Sequence, residues 1–258
     1  MSHQGGTVVT ERVIEVPKAK DPVLICGLPG SGYVGKLAAD HLVSSMKLKK
    51  VAEYSSPTFP PQVSVKEDGT AQPPKAELYF GHAKGRGVFV FTADAQPTTS
   101  EGEYELSDVV VKFVKKCGVK EVYTLAAYIT GSFSDTPKVY GAGTSKDMAH
   151  SLAEKGANLM KDGGISGMNG LLTGIAALRG LEGACLLGET SGYVVDAGAS
   201  KAVLELLSKV VGLPMDTSKL KEKAEETQKV ISQLQAMAEQ SREAAPQSGR
   251  EQRPAYIG

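Results

Sequence analysis

The feature that most constrains the fold is a glycine-dense turn between an apolar run and an apolar-periodic stretch. The run Val23–Cys26 has the length of a strand, and Leu37–Met46 has the periodicity of a helix. Between them, the spacing Gly30-x-Gly32-x-x-Gly35 matches the dinucleotide-binding fingerprint. The chain is therefore predicted to form a strand, a tight turn and a helix in that order, as in α/β proteins.

The same turn also matches most of a phosphate-binding loop, in which backbone N–H groups hold the anion and a Lys neutralises it. Gly30–Lys36 fits this pattern, but Leu37 stands where a Ser or Thr would hold Mg²⁺, so nucleotide hydrolysis is not expected. Glu53 follows about 20 residues after the turn, where a ribose-binding acid belongs, although Pro29 alters the turn. The structural alternative is that the glycines let strand and helix approach closely.

Two acids extend the candidate ligand site. Glu189 and Asp196 follow the apolar part of a late strand, Ala184–Thr190, and open α/β sheets bind ligands at the carboxyl ends of their strands. The alternative is that both acids form turns and helix caps. The predicted ligand-site residues are Gly30, Gly32, Gly35, Lys36 and Glu189.

Strand-like and helical segments alternate along most of the chain. This order predicts an α/β domain over residues 1–213, with a mostly parallel or mixed central sheet and helices on both faces. Val51–Tyr54 is interpreted as a second strand of the first unit. A second glycine turn at Val139–Thr144 is expected to precede a helix over Ser145–Met160, and a third at Gly163–Gly170 to open an apolar helix.

The charge balance and the cysteines limit the classes of function. The chain has 29 Lys and Arg against 29 Asp and Glu, which gives no electrostatic argument for nucleic acid or an anionic membrane. No apolar run reaches the ~18 residues of a membrane span, and no secretory signal is predicted. Cys26, Cys117 and Cys185 are expected to be buried free thiols, which is typical of a cytoplasmic protein.

Catalytic and metal-binding patterns are incomplete in this sequence. The histidines have no metal-ligand spacing, and His41 is interpreted as a surface residue of the first helix. No Gly-x-Ser-x-Gly nucleophile turn is present. The chain is therefore predicted not to be an enzyme, and neither a cofactor nor a metal is expected.

The composition changes at Pro214, after which Lys, Glu, Gln and Ala dominate. A helix is predicted over residues 214–245 and a flexible tail over residues 246–258. The apolar residues of this helix recur with a period near 3.5, as in a coiled coil. The candidate oligomerisation residues on this seam are Leu220, Ile231 and Leu234. Two alternatives stay open, since the seam either joins copies of the chain or packs on its own domain.

Five segments between residues 20 and 225 together resemble the PAC2 family, the proteasome assembly chaperone 2 proteins, in its archaeal form. They are Gly30–Leu42, Asp94–Pro97, Ile165–Leu172, Leu186–Thr190 and Leu213–Asp216. The resemblance implies an α/β fold of the nucleoside-phosphorylase type and no established catalytic activity. It also implies a homo-oligomeric chaperone or adaptor that contacts the α subunits of the proteasome.

Some archaeal members of that family dock a C-terminal motif, a hydrophobic residue followed by Tyr and one further residue, between α subunits. Here Tyr256 is third from the end and is followed by Ile257 and Gly258. The resemblance predicts a non-catalytic proteasome assembly chaperone or ATP-independent activator that binds α subunits or the 20S core particle through these residues. The alternative is a binding protein or enzyme that holds a nucleotide or other small molecule at Gly30–Lys36.

Overall fold

The computed structural model describes residues 9–229 of the chain. The strands are β1 (Thr10–Val13), β2 (Val23–Gly27), β3 (Lys49–Ser55), β4 (Ser64–Val65), β5 (Ala71–Gln72), β6 (Ala76–Ala83), β7 (Arg86–Ala93), β8 (Glu121–Ile129), β9 (Val139–Gly143), β10 (Asn158–Leu159) and β11 (Glu182–Thr190). The helices are α1 (Val34–Ser45), α2 (Ser100–Lys116), α3 (Lys146–Glu154), α4 (Met168–Leu178) and α5 (Ala197–Val211). A further helix, called the C-terminal helix, is described over residues 218–229. Within the described part of the chain, no helix is long and apolar enough to cross a membrane.

Among the described residues, nine strands form one sheet in the order β1-β3-β6-β7-β2-β8-β11-β9-β10, and β4 pairs with β5 in a separate hairpin. At the centre, β2 runs parallel to β7 and β8, and β8 runs parallel to β11. Antiparallel pairing extends the sheet on one side through β6, β3 and β1 and on the other through β9. The sheet is therefore mixed, with a parallel centre.

Helices cover both faces of the sheet, as predicted. One face packs against α2 and α4, and the other packs against α1 and α5. Alternate residues of β2 pack into the hydrophobic cores on the two faces. Leu24 and Cys26 lie in the core with α2 and α4, and Val23 and Ile25 lie in the core with α1 and α5. Every residue of β2 is buried because a strand between two helical layers has no face toward water.

The strand at Val51–Tyr54 does not belong to the unit of β2. It is part of β3, which pairs antiparallel with β1 and β6, and β6 and β7 separate it from β2. The interpretation of Val51–Tyr54 as the second strand of the first unit is therefore wrong. Local periodicity identifies a strand but not the neighbour with which it pairs.

The expected second glycine turn is a strand. Val139–Gly143 form β9, which runs antiparallel to β11, and α3 ends at Glu154, well before Met160. A Cβ on Gly143 would lie 2.7 Å from the backbone nitrogen of Ala149 in α3. Glycine here permits the close approach of strand and helix instead of forming a turn.

The C-terminal helix begins against the body of the domain. Leu220 is 1% exposed and belongs to the core shared by α1 and α5, so for this residue the structure favours packing on its own domain over an interface between copies. His41, expected at the surface, is also buried, and its Nε2 lies 2.5 Å from the carbonyl oxygen of Asp216. Both contacts favour the alternative in which this helix starts on its own domain. Ile231 and Leu234 lie outside the described residues.

Candidate functional site

Two glycines of the first turn are required for packing. Gly27 ends β2, and Gly35 lies in the first turn of α1. A Cβ on Gly27 would lie 2.1 Å from the carbonyl oxygen of Gly35, and one on Gly35 would lie 2.0 Å from that of Leu125 in β8. Helix α1 therefore lies directly on β2 and β8, and this close contact explains both glycines without a ligand.

The tip of the turn is open, and its junction with α1 is strained. Gly30 is exposed, and a Cβ there would meet nothing within 4 Å. Gly32 has a φ of 60°, and a Cβ would lie 2.8 Å from Thr190 Oγ1. Tyr33 has a φ of 52°. This left-handed conformation costs a non-glycine residue about 1–2 kcal/mol.

Asp196 caps α5 and connects it to the glycine turn. Its Oδ1 accepts a hydrogen bond from the backbone of Ala199 at 2.8 Å, and its Oδ2 accepts one from Thr190 Oγ1 at 2.7 Å. Its own backbone N–H donates to the carbonyl oxygen of Gly32 at 2.8 Å. Since both carboxylate oxygens are used, the structure favours the capping alternative for Asp196.

Lys36 and Glu189 are not brought together at the turn. Lys36 Nζ lies 2.8 Å from Asp40 Oδ1. Since Asp40 is four residues further along α1, this ion pair draws the Lys36 side chain away from the helix N-terminus. Glu189 Oε2 accepts a hydrogen bond from the backbone of Lys138 at 3.0 Å. Of the five predicted ligand-site residues, Gly30 lines the cavity described below and the other four do not. Ligand binding by this set stays a prediction.

Glu53 lies in a network of paired charges on β3 and β6. Lys50 and Lys75 each pair with both Glu53 and Glu77, at Nζ–O distances from 2.5 to 3.1 Å. Burial by itself would raise the pKa of Glu77, but hydrogen bonds from Lys50, Lys75 and Tyr79 lower it to about 2. Hydrogen bonds from the two lysines also lower the pKa of Glu53. Because Glu53 is committed to this network and β3 is remote from β2, the ribose-binding role has no structural support.

Gln96, which follows β7, connects the first glycine turn to the third. Its Nε2 donates to the carbonyl oxygen of Pro29 at 2.5 Å, and its Oε1 accepts from the backbone N–H of Met168 at 2.8 Å. Met168 is the first residue of α4, and Gly167 before it has a φ of 77°. One amide side chain thus holds the two turns at a fixed separation.

A cavity of about 390 Å³ lies between these two turns, at the carboxyl ends of β8 and β11, and we call it the edge cavity. Apolar walls come from Ile129, Met160, Ile165 and Leu187. None of the described residues that line it carries a charge. Its volume is in the range of small-molecule pockets, and its place is the one at which open α/β sheets bind ligands.

Asn169 is the most buried polar residue of the edge cavity, and sequence reasoning did not single it out. It is 7% exposed, and its Oδ1 has no hydrogen-bond partner among the described residues. The signal that points to it is its position in the third glycine segment, Gly163–Gly170, where a polar side chain follows Met168 at the start of a helix. The segment was recognised, but the depth of this side chain depends on tertiary packing.

A larger concave surface of about 770 Å³ lies between the C-terminal helix and residues 133–137. Four of its charged side chains pair along their own helices, Lys201 with Glu205 at 2.7 Å and Lys221 with Glu225 at 3.9 Å, Asp196 caps α5, and Asp135 also lies in the wall. Such pairs four residues apart are typical of solvated helix surfaces. The lysines and glutamates of this surface are therefore explained without a ligand.

The three thiols are buried, and the described part of the chain holds no cluster of metal-ligating side chains. All three cysteines are buried and free, as predicted. Burial raises the pKa of Cys26 and raises that of Cys185 to about 11, so both thiols stay protonated at neutral pH. Among residues 9–229, no group of three His, Cys, Asp or Glu could hold a metal ion. The predicted partner-binding residues Tyr256, Ile257 and Gly258 lie outside the described residues.

Comparison with known sequences identifies a family match over most of the chain. Residues 24–235 match the model of the PAC2 family. An uncharacterized protein of Methanocaldococcus jannaschii is 37% identical over 239 residues, which are 92% of this chain and 92% of that protein. The match therefore extends from β2 into the predicted C-terminal helix.

Solved structures give the same result for the fold. The crystal structure of Pyrococcus furiosus PbaB, described as an archaeal proteasome activator, superimposes with a TM-score of 0.82 at 37% identity and covers 89% of this chain and 100% of PbaB. Pyrococcus furiosus PbaA, described as an archaeal homolog of proteasome-assembly chaperone, superimposes with a TM-score of 0.73 at 29% identity, covering 91% of this chain and 94% of PbaA. The mixed sheet with helices on both faces is thus shared with both proteins.

Proposed function

Because the chain belongs to the PAC2 family, we propose that it is a proteasome-associated protein that acts without catalysis of its own, as an activator or an assembly chaperone. The observation that carries this proposal is the similarity to PbaB over the whole length of that protein. The two polar candidates at the first glycine turn are held within the domain, Asp196 in a helix cap and Lys36 in an ion pair, so neither supports a catalytic role.

The proposed partner surface lies on the α subunits of the proteasome, and the proposed contact is the end of the chain. Tyr256 and Ile257 place an aromatic and an aliphatic side chain at the end of a polar segment, residues 246–258. Such a segment would insert its apolar end into a pocket of the partner. The helix predicted over residues 214–245 would carry it away from the α/β domain of residues 1–213.

A single short segment buries little surface and would bind weakly. Several tails on one oligomer would strengthen binding by about 10²–10⁴-fold through effective concentration. Homo-oligomerisation is therefore part of this proposal, with Ile231 and Leu234 as its candidate contacts on the predicted helix. A cytoplasmic location belongs to it as well, because three free thiols are typical of a reducing compartment.

The test measures binding to the immobilised 20S core particle of the same organism and, separately, to its free α subunits. Four proteins are compared: the full chain, a chain lacking residues 246–258, Tyr256→Ala, and Gln247→Ala as a control for an alanine substitution at a polar position of the tail. We expect the full chain and the control to bind and the other two to lose binding. Degradation of an unfolded substrate by the 20S particle reports activation in the same samples.

The outcomes separate the parts of the proposal. Binding to the 20S particle with faster degradation supports an activator, whereas binding to free α subunits alone supports an assembly chaperone. If the truncated chain binds as tightly as the full chain, tail docking is wrong but proteasome association stands. If no form binds either target, the proposed function is wrong.

A further inference from the structure

We propose that the edge cavity between the first and third glycine turns is a binding site for a small uncharged molecule that presents an amide-like pair of hydrogen-bond donor and acceptor. This site differs from the one predicted around Lys36 and Glu189, because neither residue lines the cavity. The site also does not depend on proteasome association, since it is inferred from the residues that line the cavity.

The Asn169 side chain carries the polar part of the argument. Its Oδ1 is buried and has no hydrogen-bond partner among the described residues, and the residue as a whole is only 7% exposed. An unsatisfied buried polar group costs about 1–3 kcal/mol, so proteins retain one where something else satisfies it. A ligand with an adjacent donor and acceptor would pair with both atoms of the Asn169 amide once that side chain rotates to turn Oδ1 toward the cavity.

The surroundings of Asn169 disfavour a charged ligand. The described lining residues carry no charge, so an anion would find no cation there and a cation no carboxylate. The backbone N–H of Met168, which would otherwise face an anion at the start of α4, already donates to Gln96 Oε1 at 2.8 Å. Tyr33 N–H likewise donates to the carbonyl oxygen of Gly30 at 2.9 Å. The helix ends beside the cavity therefore offer little to a phosphate.

The other side chains that line the cavity favour a ligand whose remaining part is apolar. Ile129, Ile165 and Leu187 line the cavity, and Met160 contributes an unbranched side chain that adapts to different shapes. Tyr128 closes one side, and its ring stacks on Tyr140 with centroids 3.9 Å apart, which holds its orientation. In an amide or lactam attached to an apolar ring, the amide group would pair with Asn169 and the ring would contact the apolar side chains.

The test uses benzamide as the probe and benzoate as its charged counterpart of the same shape. With the methionine methyl groups labelled, the Met160 resonance reports the cavity, and Met46, which packs in the core on the opposite face of the sheet, serves as the internal control. We expect benzamide to shift the Met160 resonance saturably, with a dissociation constant in the millimolar range for so small a probe. Benzoate is expected to bind at least tenfold more weakly.

Asn169→Leu removes the amide while keeping a side chain with the same branching, and Asn158→Leu makes the same change at an exposed position outside the cavity. We expect Asn169→Leu to weaken benzamide binding at least tenfold without lowering the melting temperature, because the buried amide has no protein partner to lose. Asn158→Leu should bind benzamide as the unchanged protein does. The proposal is overturned if benzamide gives no saturable shift, if benzoate binds equally well, or if Asn169→Leu retains binding. A lowered melting temperature with unchanged binding would show that Asn169 is structural only.

Discussion

The substitution Gly35→Ala distinguishes a packing role of the glycine turn from a ligand-binding role. A Cβ at residue 35 would lie 2.0 Å from the carbonyl oxygen of Leu125, whereas ordinary contact begins at 3.4 Å. Because the carbonyl oxygen of Leu125 is a backbone atom of a central strand, no change of side-chain rotamer would relieve this clash. Helix α1 would have to move away from β8 by about 1.4 Å, the difference between these two distances.

The size of the effect follows from what α1 buries. The buried face of this helix would lose contact with the sheet as the helix moves; it includes Val34, Ala38, Ala39 and Leu42. Overpacking costs about 1–3 kcal/mol or more, and the better helix propensity of Ala offsets at most about 1 kcal/mol of this. With the lost contacts added, we expect the free energy of unfolding to fall by about 3 kcal/mol. That corresponds to a fall in melting temperature of about 6–12 °C for a chain of this size.

Urea unfolding followed by far-ultraviolet circular dichroism measures this loss, since the chain has no Trp for fluorescence. The matched control is Gly30→Ala, where a Cβ meets nothing within 4 Å and the backbone is extended, so the change should stay within about 0.5 kcal/mol. A loss below about 1 kcal/mol for Gly35→Ala would refute the packing argument. Equal losses at both positions would refute it as well.

Two further predictions concern charge and core packing. Glu77→Gln should make the free energy of unfolding less dependent on pH in acid. The pKa of Glu77 is lowered to about 2 from an ordinary 4.5. The ionised carboxylate therefore stabilises the fold above pH 4.5, and this stabilisation is lost as the pH falls toward 2. After allowance for solvent screening we expect a difference of about 1–2 kcal/mol between the two proteins at pH 6, measured by urea unfolding, and nearly equal stabilities at pH 2. Leu220→Ala should lower the free energy of unfolding by about 2–4 kcal/mol, because Leu220 is buried in its own domain. This loss should be the same at low and high protein concentration, and a loss confined to high concentration would instead assign Leu220 to an interface.

Local patterns predicted most elements of the fold, and the family resemblance was confirmed. The strand at Val23–Cys26, the helix that follows the first glycine turn and the apolar helix after Gly163–Gly170 all form close to the predicted places. These features depend on neighbours in the chain, so the periodicity of side chains and the conformational freedom of glycine were enough to predict them.

The candidate site was predicted less well, because its residues are distant in sequence. Gln96 reaches both Pro29 and Met168 only because β7 lies beside β2 in the sheet. Conversely, Glu53 has the right separation from the glycine turn but lies on β3, where lysines of the antiparallel side of the sheet bind it. Separation along the chain therefore said little about separation in space.

What the sequence by itself determined is the alternation of strands and helices, the strand–turn–helix at the first glycines, the buried thiols and the family. Only the tertiary structure decided that β3 pairs away from β2, that Leu220 is in the core, and that the Asn169 amide is enclosed without a partner. The physical reason is that periodicity and turn chemistry act over a few residues. Strand order, helix packing and cavities arise instead from contacts between residues far apart in the chain, which a local pattern does not encode.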